Sequence, residues 1–170
     1  MPPKSVAPQC FYAGDGLKML RISKLTDYAA LIMGFLARDP QQVFSASAIA
    51  AAVYLPAPTV SKILKMLSAG KLVISQRGTA GGYRLARAAQ DITMAELITA
   101  MEGQPAITEC CDSTNTCMLD SLCAIKENWQ AINKMITAAL SKLTLNDMIR
   151  PLSGQSLTLR GIPIKVQGAA

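Results

Sequence analysis

Four cysteines lie close together in the second half of the chain. Cys111, Cys117 and Cys123 are separated by five residues each, and Cys110 precedes the first of them. Structural zinc sites typically use cysteine pairs with two residues between them, so these spacings fit zinc poorly. Three thiolates from one open loop suit an iron–sulfur cluster of the 2Fe–2S or 4Fe–4S type, because the cluster is larger and its irons favour thiolate ligands. The alternative is that these cysteines are ordinary small side chains of an exposed loop.

Groups that usually carry catalysis are missing from the sequence. The 170 residues include no histidine, which removes the Ser/His and Cys/His nucleophile pairs. No general base, phosphate-binding loop or catalytic pair is visible, so we expect that the protein is not an enzyme. The sequence shows neither a secretory signal nor, in its first third, an apolar run near the roughly 20 residues of a bilayer span. We therefore expect a cytoplasmic protein without a membrane partner, in a compartment where cysteines more often bind metals or do redox chemistry than form structural disulfides.

The net charge of +6 is unevenly distributed along the chain. Residues 19–87 contain nine basic and two acidic side chains, whereas residues 88–170 contain six basic and eight acidic ones. A basic segment of this kind predicts a surface for a polyanion, and double-stranded DNA is the expected partner.

The basic segment has the pattern of packed helices. Hydrophobic residues make up 51% of the chain and aromatic residues only 5%, which favours helices over a β-sandwich. A first helix is predicted to begin at Ser23 or Thr26 and to end at Asp39, and a second helix is predicted to follow Ser45 or Ser47.

A third helix is predicted after a proline-rich turn. Pro58 suits the first helical position, where its missing N–H costs nothing, and Gly70 is expected to form a left-handed C-terminal cap. Apolar residues at helical spacing predict one buried face, made of Val60, Ile63, Leu64 and Leu67. The opposite face is polar and basic.

Two short β runs follow the third helix, at residues 71–75 and 83–86, and glycines between them supply a turn. Two helices joined by a tight turn and followed by a basic hairpin are typical of a winged helix-turn-helix. In that fold the third helix enters the major groove, and the hairpin, or wing, reaches the neighbouring minor groove or backbone.

Six residues are the candidate DNA contacts: Thr59, Ser61, Lys62, Lys65, Arg77 and Arg84. The first three are expected to face the bases, and Arg77, at the tip of the wing, to enter a narrow minor groove. The remaining two are expected to meet phosphates. The alternative for the two lysines is a solvated helix surface.

The second half is predicted to hold a capped helix, a cysteine-containing loop and a long helix. Thr93 and Glu96 have the spacing of a capping box, and Gly103 is expected to close that helix. Apolar residues then repeat every three or four positions through Leu122, Ile125, Trp129, Ile132, Ile136, Ala139 and Leu143. A small domain cannot cover so long an apolar stripe alone, so this helix is expected to pair with a second copy in a homodimer.

The predicted fold class is therefore mainly α: a winged helix-turn-helix with a small β-hairpin wing and a long C-terminal dimerisation helix. Five segments are expected: a disordered leader at 1–18, a DNA-binding domain at 19–103, a cluster-binding loop at 104–121, a dimerisation helix with its C-terminal end at 122–152, and a mobile tail at 153–170.

The chain resembles the Rrf-two family of bacterial winged-helix regulators, whose members include IscR-like, NsrR-like and SUF-system regulators. The resemblance rests on Ile22-Ser-Lys-Leu-Thr-Asp-Tyr28, on Arg77-Gly-Thr-Ala-Gly-Gly-Tyr83, on the three spaced cysteines and on Trp129. It covers residues 19–152 and, by overall similarity, is greatest to the SUF-system regulators of iron–sulfur assembly. It implies a homodimeric regulator, a repressor, whose cluster occupancy alters operator binding.

The resemblance also implies a ligand set. IscR-like members use a histidine three residues after the last cysteine, but Lys126 stands there and cannot serve at neutral pH. NsrR-like members use an aspartate of the other subunit near the start of the first helix, which Asp27 matches. The implied ligands are Cys111, Cys117, Cys123 and Asp27 of the partner subunit, with Cys110 as the alternative. For Asp27 the competing interpretation is a carboxylate stabilised by the helix dipole.

The sequence thus predicts a regulator that senses iron–sulfur status, nitric oxide or oxidants through a cluster. One alternative keeps DNA binding but replaces the cluster with a thiol/disulfide switch at the same cysteines. Another is a small iron–sulfur electron carrier or scaffold whose basic half docks an acidic protein.

Overall fold

The structure is a computed structural model that describes residues 22–78, 81–112, 117–118 and 122–150, together with the backbone of two strands beyond them. Its elements in chain order are α1 (Lys24–Leu36), α2 (Ala46–Val53), α3 (Ala57–Ala69), β1 (Val73–Gln76), β2 (Gly82–Leu85), α4 (Met94–Glu102), α5 (Lys126–Lys142), α6 (Leu145–Ile149), β3 (Ser156–Leu159) and β4 (Ile162–Lys165). Single 3₁₀ turns occur at Ala89–Asp91 and Glu109–Cys111. The predicted mainly-α winged helix is confirmed.

Serine side chains set the starts of α1 and α2. The Ser23 hydroxyl accepts a hydrogen bond from the Thr26 backbone N–H, and the Ser45 hydroxyl accepts one from Ala48. Each bond satisfies an N–H that has no partner inside the helix. The first member of each pair of predicted caps is therefore the one used. The first helix ends at Leu36, three residues before the predicted stop.

The third helix differs in detail from its prediction. It begins at Ala57, so Pro58 occupies the second helical position instead of the first. The expected left-handed cap at Gly70 is wrong, because Gly70 has a φ of −74° and the positive φ of 58° falls on Lys71. Glycine at position 70 instead allows close packing, since an added Cβ would lie 2.6 Å from the Cβ of Ala100 in α4.

The core lies between the first four helices and the sheet formed by β1 and β2. Its largest fully buried side chains come from every one of these helices and include Ile32, Met33, Leu36, Ile49, Ile63, Leu64, Leu67 and Leu97. The predicted buried face of α3 is confirmed, because its four apolar residues are completely buried. This packing fixes the direction in which the opposite face of α3 points.

The wing is an antiparallel pair in which Val73 lies opposite Leu85 and Gln76 opposite Gly82. Tyr83 forms a further backbone bridge with Phe44, which ties the wing to the segment before α2. Gly82 is required at this bridge because an added Cβ would collide with the Phe44 carbonyl. The wing is therefore held firmly against the helical body.

The capping box of α4 is present: the Thr93 hydroxyl accepts from the Glu96 N–H, and the Glu96 carboxylate accepts from the Thr93 N–H. The long helix is shorter than predicted, since it starts at Lys126 and leaves Leu122 outside and 83% exposed. Leu122 has no side-chain group that could cap a helix. Residues 123–126 form a turn instead, closed by a hydrogen bond from the Lys126 N–H to the Cys123 carbonyl oxygen.

A second capping box, between Thr144 and Asp147, starts α6 directly after α5. The sequence analysis missed this short helix, although the threonine and aspartate spacing is visible in the sequence. A backbone bridge between Thr93 and Thr144 joins the starts of α4 and α6.

Beyond α6, the predicted mobile tail contains β3 and β4, which pair antiparallel with Leu157 opposite Ile164. This regular structure was not expected from the Gly-, Ser- and Gln-rich composition, but apolar and polar residues alternate in both strands, as hairpins favour. The predicted leader at 1–18 lies outside the described residues. Within the described part of the chain no single helix is long and apolar enough to cross a membrane; α2 and α3 reach that length and composition only as a pair bent by 115°.

Candidate DNA-binding surface and cysteine loop

The outer face of α3 carries four of the predicted DNA contacts. Lys62 and Lys65 are exposed, while Thr59 and Ser61 are half-buried beside them. Because Val60, Ile63 and Leu64 anchor the opposite side in the core, this face is held outward as a rigid surface. The geometry matches what a helix needs in order to enter the major groove.

The wing supplies the other two predicted contacts. Arg77 is exposed directly after β1, and Arg84 is half-buried in β2, where its Nη1 lies 3.4 Å from the Leu85 carbonyl oxygen. Among the residues that the structure describes, the only ion pair joins Arg87 and Glu96, at 2.7 Å. Among the described residues, no carboxylate forms an ion pair with the cations of α3 or the wing.

Two of the cysteines share one hydroxyl. Cys110 and Cys111 lie in the 3₁₀ turn after Thr108, whose Oγ1 is 3.1 Å from the Cys110 Sγ and 3.3 Å from the Cys111 Sγ. Cys117 and Cys123 are half-buried, as are the first two, and all four are free thiols. The loop therefore presents its cysteines at a partly covered surface.

Polar side chains of α5 hold the beginning of the loop in place. Asn133 accepts a hydrogen bond from the Ile107 N–H at 3.2 Å and donates to the Pro105 carbonyl at 3.0 Å. Gln130 lies 3.4 Å from the Cys110 carbonyl oxygen. The sequence analysis missed both anchors. The available signal was two amide side chains at a three-residue spacing, which places them on the same face of the helix.

The first turn of α1 is connected to the start of the loop by Glu102. The Glu102 carboxylate accepts hydrogen bonds from the Ser23 backbone N–H, at 2.8 Å, and from the Thr26 hydroxyl. Gly103, with a φ of +88°, turns the chain from α4 into the loop. Asp27 is exposed on the same first turn of α1. No sequence pattern could have found this contact, because its partners are separated by 79 residues.

The fit of a metal centre depends on the donor set and on its placement. Thiolates and one carboxylate are suitable ligands for an iron–sulfur cluster. Within the described residues of one chain, however, no three cysteine, aspartate or glutamate side chains are close enough together to hold a metal ion. In particular, Asp27 is not part of a group of three such side chains among the described residues.

One face of α5 is incompletely covered in the single chain. None of its 17 residues is buried, and Ile132 is 36% exposed, with Ile125, directly before the helix, 53% exposed. Its C-terminal part packs on the core through Leu140 and Leu143. The apolar stripe is thus anchored at one end and open at the other.

Comparisons with known proteins agree with this architecture. Residues 22–151 match the family Rrf2, the Rrf-two family named above, described as an iron-dependent transcriptional regulator. The HTH-type transcriptional regulator NsrR of Oceanobacillus iheyensis is 30% identical over 148 residues, which cover 84% of this chain and 98% of that relative.

Two solved structures share the fold. The T. potens IscR structure has a TM-score of 0.57 and 28% identity, covering 76% of this chain and 85% of that one. CymR, titled the global cysteine regulator of B. subtilis, has a TM-score of 0.61 and 25% identity, covering 77% and 97%. The relatives are transcriptional regulators and not enzymes, as predicted. The exposed basic face of α3, the wing and the match over most of its length together show that this chain belongs to the Rrf2 family of DNA-binding transcriptional regulators.

Proposed function

We propose that this regulator acts as a homodimeric repressor whose operator affinity depends on an iron–sulfur cluster bound by its cysteine loop. The observation that carries the proposal is that Cys111, Cys117 and Cys123 are half-buried free thiols of one loop, whose start is hydrogen-bonded to α5. Half-buried thiols suit a cluster because the site limits solvent access without closing it to small molecules.

The DNA interface follows from the α3 and wing geometry. Thr59, Ser61 and Lys62 face the bases of the major groove, and Arg77 enters the neighbouring minor groove, where a narrow groove favours arginine. Lys65 and Arg84 meet phosphates, which set register and carry no sequence information. The absence of ion pairs among the described residues of this surface supports the assignment.

The open apolar stripe of α5 is the dimer interface. Ile125 and Ile132 are exposed in one chain, and pairing two copies of the helix would bury them. Each Å² of apolar surface removed from water contributes roughly 25 cal/mol to the free energy of association. Pairing through α5 also sets the distance between the two copies of α3, which must match two half-sites about one helical turn apart.

The cluster would be held by Cys111, Cys117, Cys123 and Asp27 of the partner subunit, with Cys110 as the competing ligand. When bound, it supplies reactivity toward oxidants and nitric oxide. The chain's own side chains position the ligands. Asn133 and Gln130 hold the loop on α5. Glu102 holds the first turn of α1, which carries Asp27. If the ligands come from both subunits, binding of the cluster would connect the conformation of the cysteine loop to the distance between the two copies of α3.

Anaerobic purification tests this proposal. We expect a visible chromophore with stoichiometric iron and sulfide, lost in Cys111→Ser, Cys117→Ser and Cys123→Ser. Cys10→Ser, which changes a cysteine outside the loop, is the matched control and should keep the chromophore. Colourless, iron-free protein that binds its own promoter equally well with all three loop cysteines replaced would contradict the proposal.

The carboxylate ligand has its own test. Asp27→Ala should speed the loss of the cluster in air without unfolding the dimer, because Asp27 is exposed and supports no core contact. The decay of the visible absorbance measures this rate, with Cys110→Ser compared in parallel. An unaltered lifetime in Asp27→Ala and a shortened one in Cys110→Ser would assign the fourth position to Cys110.

A thiol switch is the second candidate, favoured by the contacts of Cys110 and Cys111 with one Thr108 hydroxyl. Two loop thiols would form a disulfide and lose two protons and two electrons to an oxidant such as peroxide. Reversible loss of two thiols in iron-free protein, with a matching change in DNA affinity, would support this candidate over the cluster.

A further inference from the structure

Tyr54 adopts an unusual backbone conformation at the end of α2. Its φ of 55° and ψ of 39° lie in the left-handed region, and Lys71 is the only other non-glycine residue with a positive φ among those described. Side chains with a Cβ are strained in this region, which glycine occupies freely. A tyrosine here therefore costs stability relative to glycine.

Packing within the chain does not compensate for this strain. The side chain is 94% exposed, and within the described part of the chain the phenol makes no hydrogen bond or ring contact. A large aromatic side chain held in solvent on a strained backbone is explained by a contact outside the folded chain.

The position of Tyr54 identifies that contact. It lies in the turn between α2 and α3, two residues before Pro56, which caps α3. In a helix-turn-helix the first helix crosses the DNA backbone while the start of the second enters the major groove. In that arrangement the turn that ends the first helix and precedes the second would lie near the DNA backbone at the groove edge.

The start of α3 is also a weaker phosphate site than most helix N-termini. Free backbone N–H groups normally bind phosphate there, but Pro56 and Pro58 have no N–H to offer. No side chain caps this helix either. A hydroxyl donor on the preceding turn would restore the missing contact.

We propose that the Tyr54 hydroxyl donates a hydrogen bond to a DNA phosphate at the edge of the major groove and so holds the register of α3. This inference rests on the DNA-binding mode described under the proposed function. It assigns a contact that sequence patterns did not indicate, since nothing in the sequence marks residue 54 as exposed or left-handed.

The test compares Tyr54→Phe and Tyr54→Gly with the wild type by titrating two duplexes, the chain's own promoter region and one of unrelated sequence. Both variants should bind about 10-fold more weakly, the size expected for loss of a hydrogen bond to a charged group. The loss should be equal on both duplexes, because a phosphate contact carries no sequence information.

Thermal unfolding separates this contact from a structural role. Tyr54→Gly should raise the unfolding midpoint because it relieves the left-handed strain, although its DNA affinity falls. Tyr54→Phe should leave the midpoint unchanged. Lys71→Gly, which relieves the other strained position, is the control for the stability gain.

Three outcomes decide the matter. Unchanged affinity in both variants would overturn the inference while wild-type binding upheld the DNA-binding surface. A loss confined to the promoter duplex would also overturn it, in favour of a base contact. Failure of the wild type to bind either duplex at low salt would instead remove the proposed interface itself.

Discussion

The winged-helix half and the cysteine-containing half of this chain differ in how completely each is folded by its own contacts. Helices α1, α3 and α4 contribute fully buried side chains to a shared core, whereas α5 contains no buried residue. The charge also changes along the chain, although the boundary precedes α4: residues 19–87 contain nine basic and two acidic side chains, whereas residues 88–170, which include α4, contain six basic and eight acidic ones. The winged-helix half supplies most of the buried core, whereas part of the apolar stripe of α5 is exposed in the single chain.

Several contacts fix the two halves to each other, because Leu145 lies in the core and Leu140 and Leu143 pack against it. Within the winged-helix half, Glu102 at the end of α4, just before the cysteine loop, bonds the first turn of α1. Between the halves, the Thr93–Thr144 bridge joins the start of α4 to the start of α6. Under the proposed function, a change of order in the loop would reach the DNA-binding helices through these contacts.

The largest expected effect is on the core. Leu64→Ala removes a completely buried side chain from α3, and it should lower the free energy of unfolding by about 3 kcal/mol. Ile132→Ala, on the half-covered helix α5, should cost much less in monomeric protein. Urea unfolding monitored by circular dichroism measures both, and equal costs would break the contrast between the halves.

A charge on the open stripe of α5 should separate the subunits. Ile132→Asp places a carboxylate in the proposed interface, where burying an unpaired charge is strongly unfavourable. We expect a folded monomer by light scattering after gel filtration. Lys134→Asp introduces the same side chain at an exposed position on another side of α5 and should remain dimeric, whereas an Ile132→Asp dimer would show that subunits pair elsewhere.

Loss of one wing cation should weaken DNA binding moderately. Arg77→Ala should reduce affinity about 10-fold and lower the salt dependence of binding by about one ion. Lys142→Ala removes a positive charge from the other half, at the end of α5, and should have little effect. Fluorescence anisotropy at several salt concentrations measures both, and equal losses would mean that overall charge matters more than the wing.

The smallest expected effects concern the two capping boxes. Although burial opposes ionisation of Glu96, hydrogen bonds from Thr93 and the Arg87 guanidinium hold its pKa below the ordinary value. Hydrogen bonds from Thr144 likewise lower the pKa of Asp147. A lowered folded pKa contributes stability above the ordinary carboxyl range, and this stability is lost as the pH falls through the folded value.

Thr93→Ala should therefore cost about 1 kcal/mol near neutral pH and less in acid. Thr144→Ala is the matched change at the other capping box. Chemical unfolding at a series of pH values checks the sign, and a cost that grew on acidification would show that the carboxylate does not carry the effect.

Much of the winged-helix half could be predicted from the sequence because its signals are local. Caps at Ser23, Ser45 and Thr93 act within three residues, and the apolar spacing in α3 repeats within one or two turns. The predicted start of α5 was too early because the apolar repeat begins at Leu122, before the helix itself begins at Lys126. An apolar pattern reports which face would be buried, but it does not mark a helix end.

In the candidate site, too, the features that depend on local sequence could be predicted and those that depend on long-range contacts could not. The identity of the loop cysteines and the basic residues of α3 and the wing are visible in the sequence, since they depend on residue type and spacing. Their supports were not visible. Asn133 reaches residues 26 and 28 positions away, and Glu102 reaches one 79 positions away.

By itself, the sequence determined the helical class, the order of the winged helix-turn-helix, the capping box at Thr93 and the positions of the loop cysteines, because these depend on neighbouring residues. Only the tertiary structure decided that Gly70 serves close packing with Ala100, that Tyr54 and Lys71 carry the left-handed strain, and that amide side chains of α5 anchor the loop. The physical reason is that such contacts join residues far apart in the chain, and they exist only once the helices have packed.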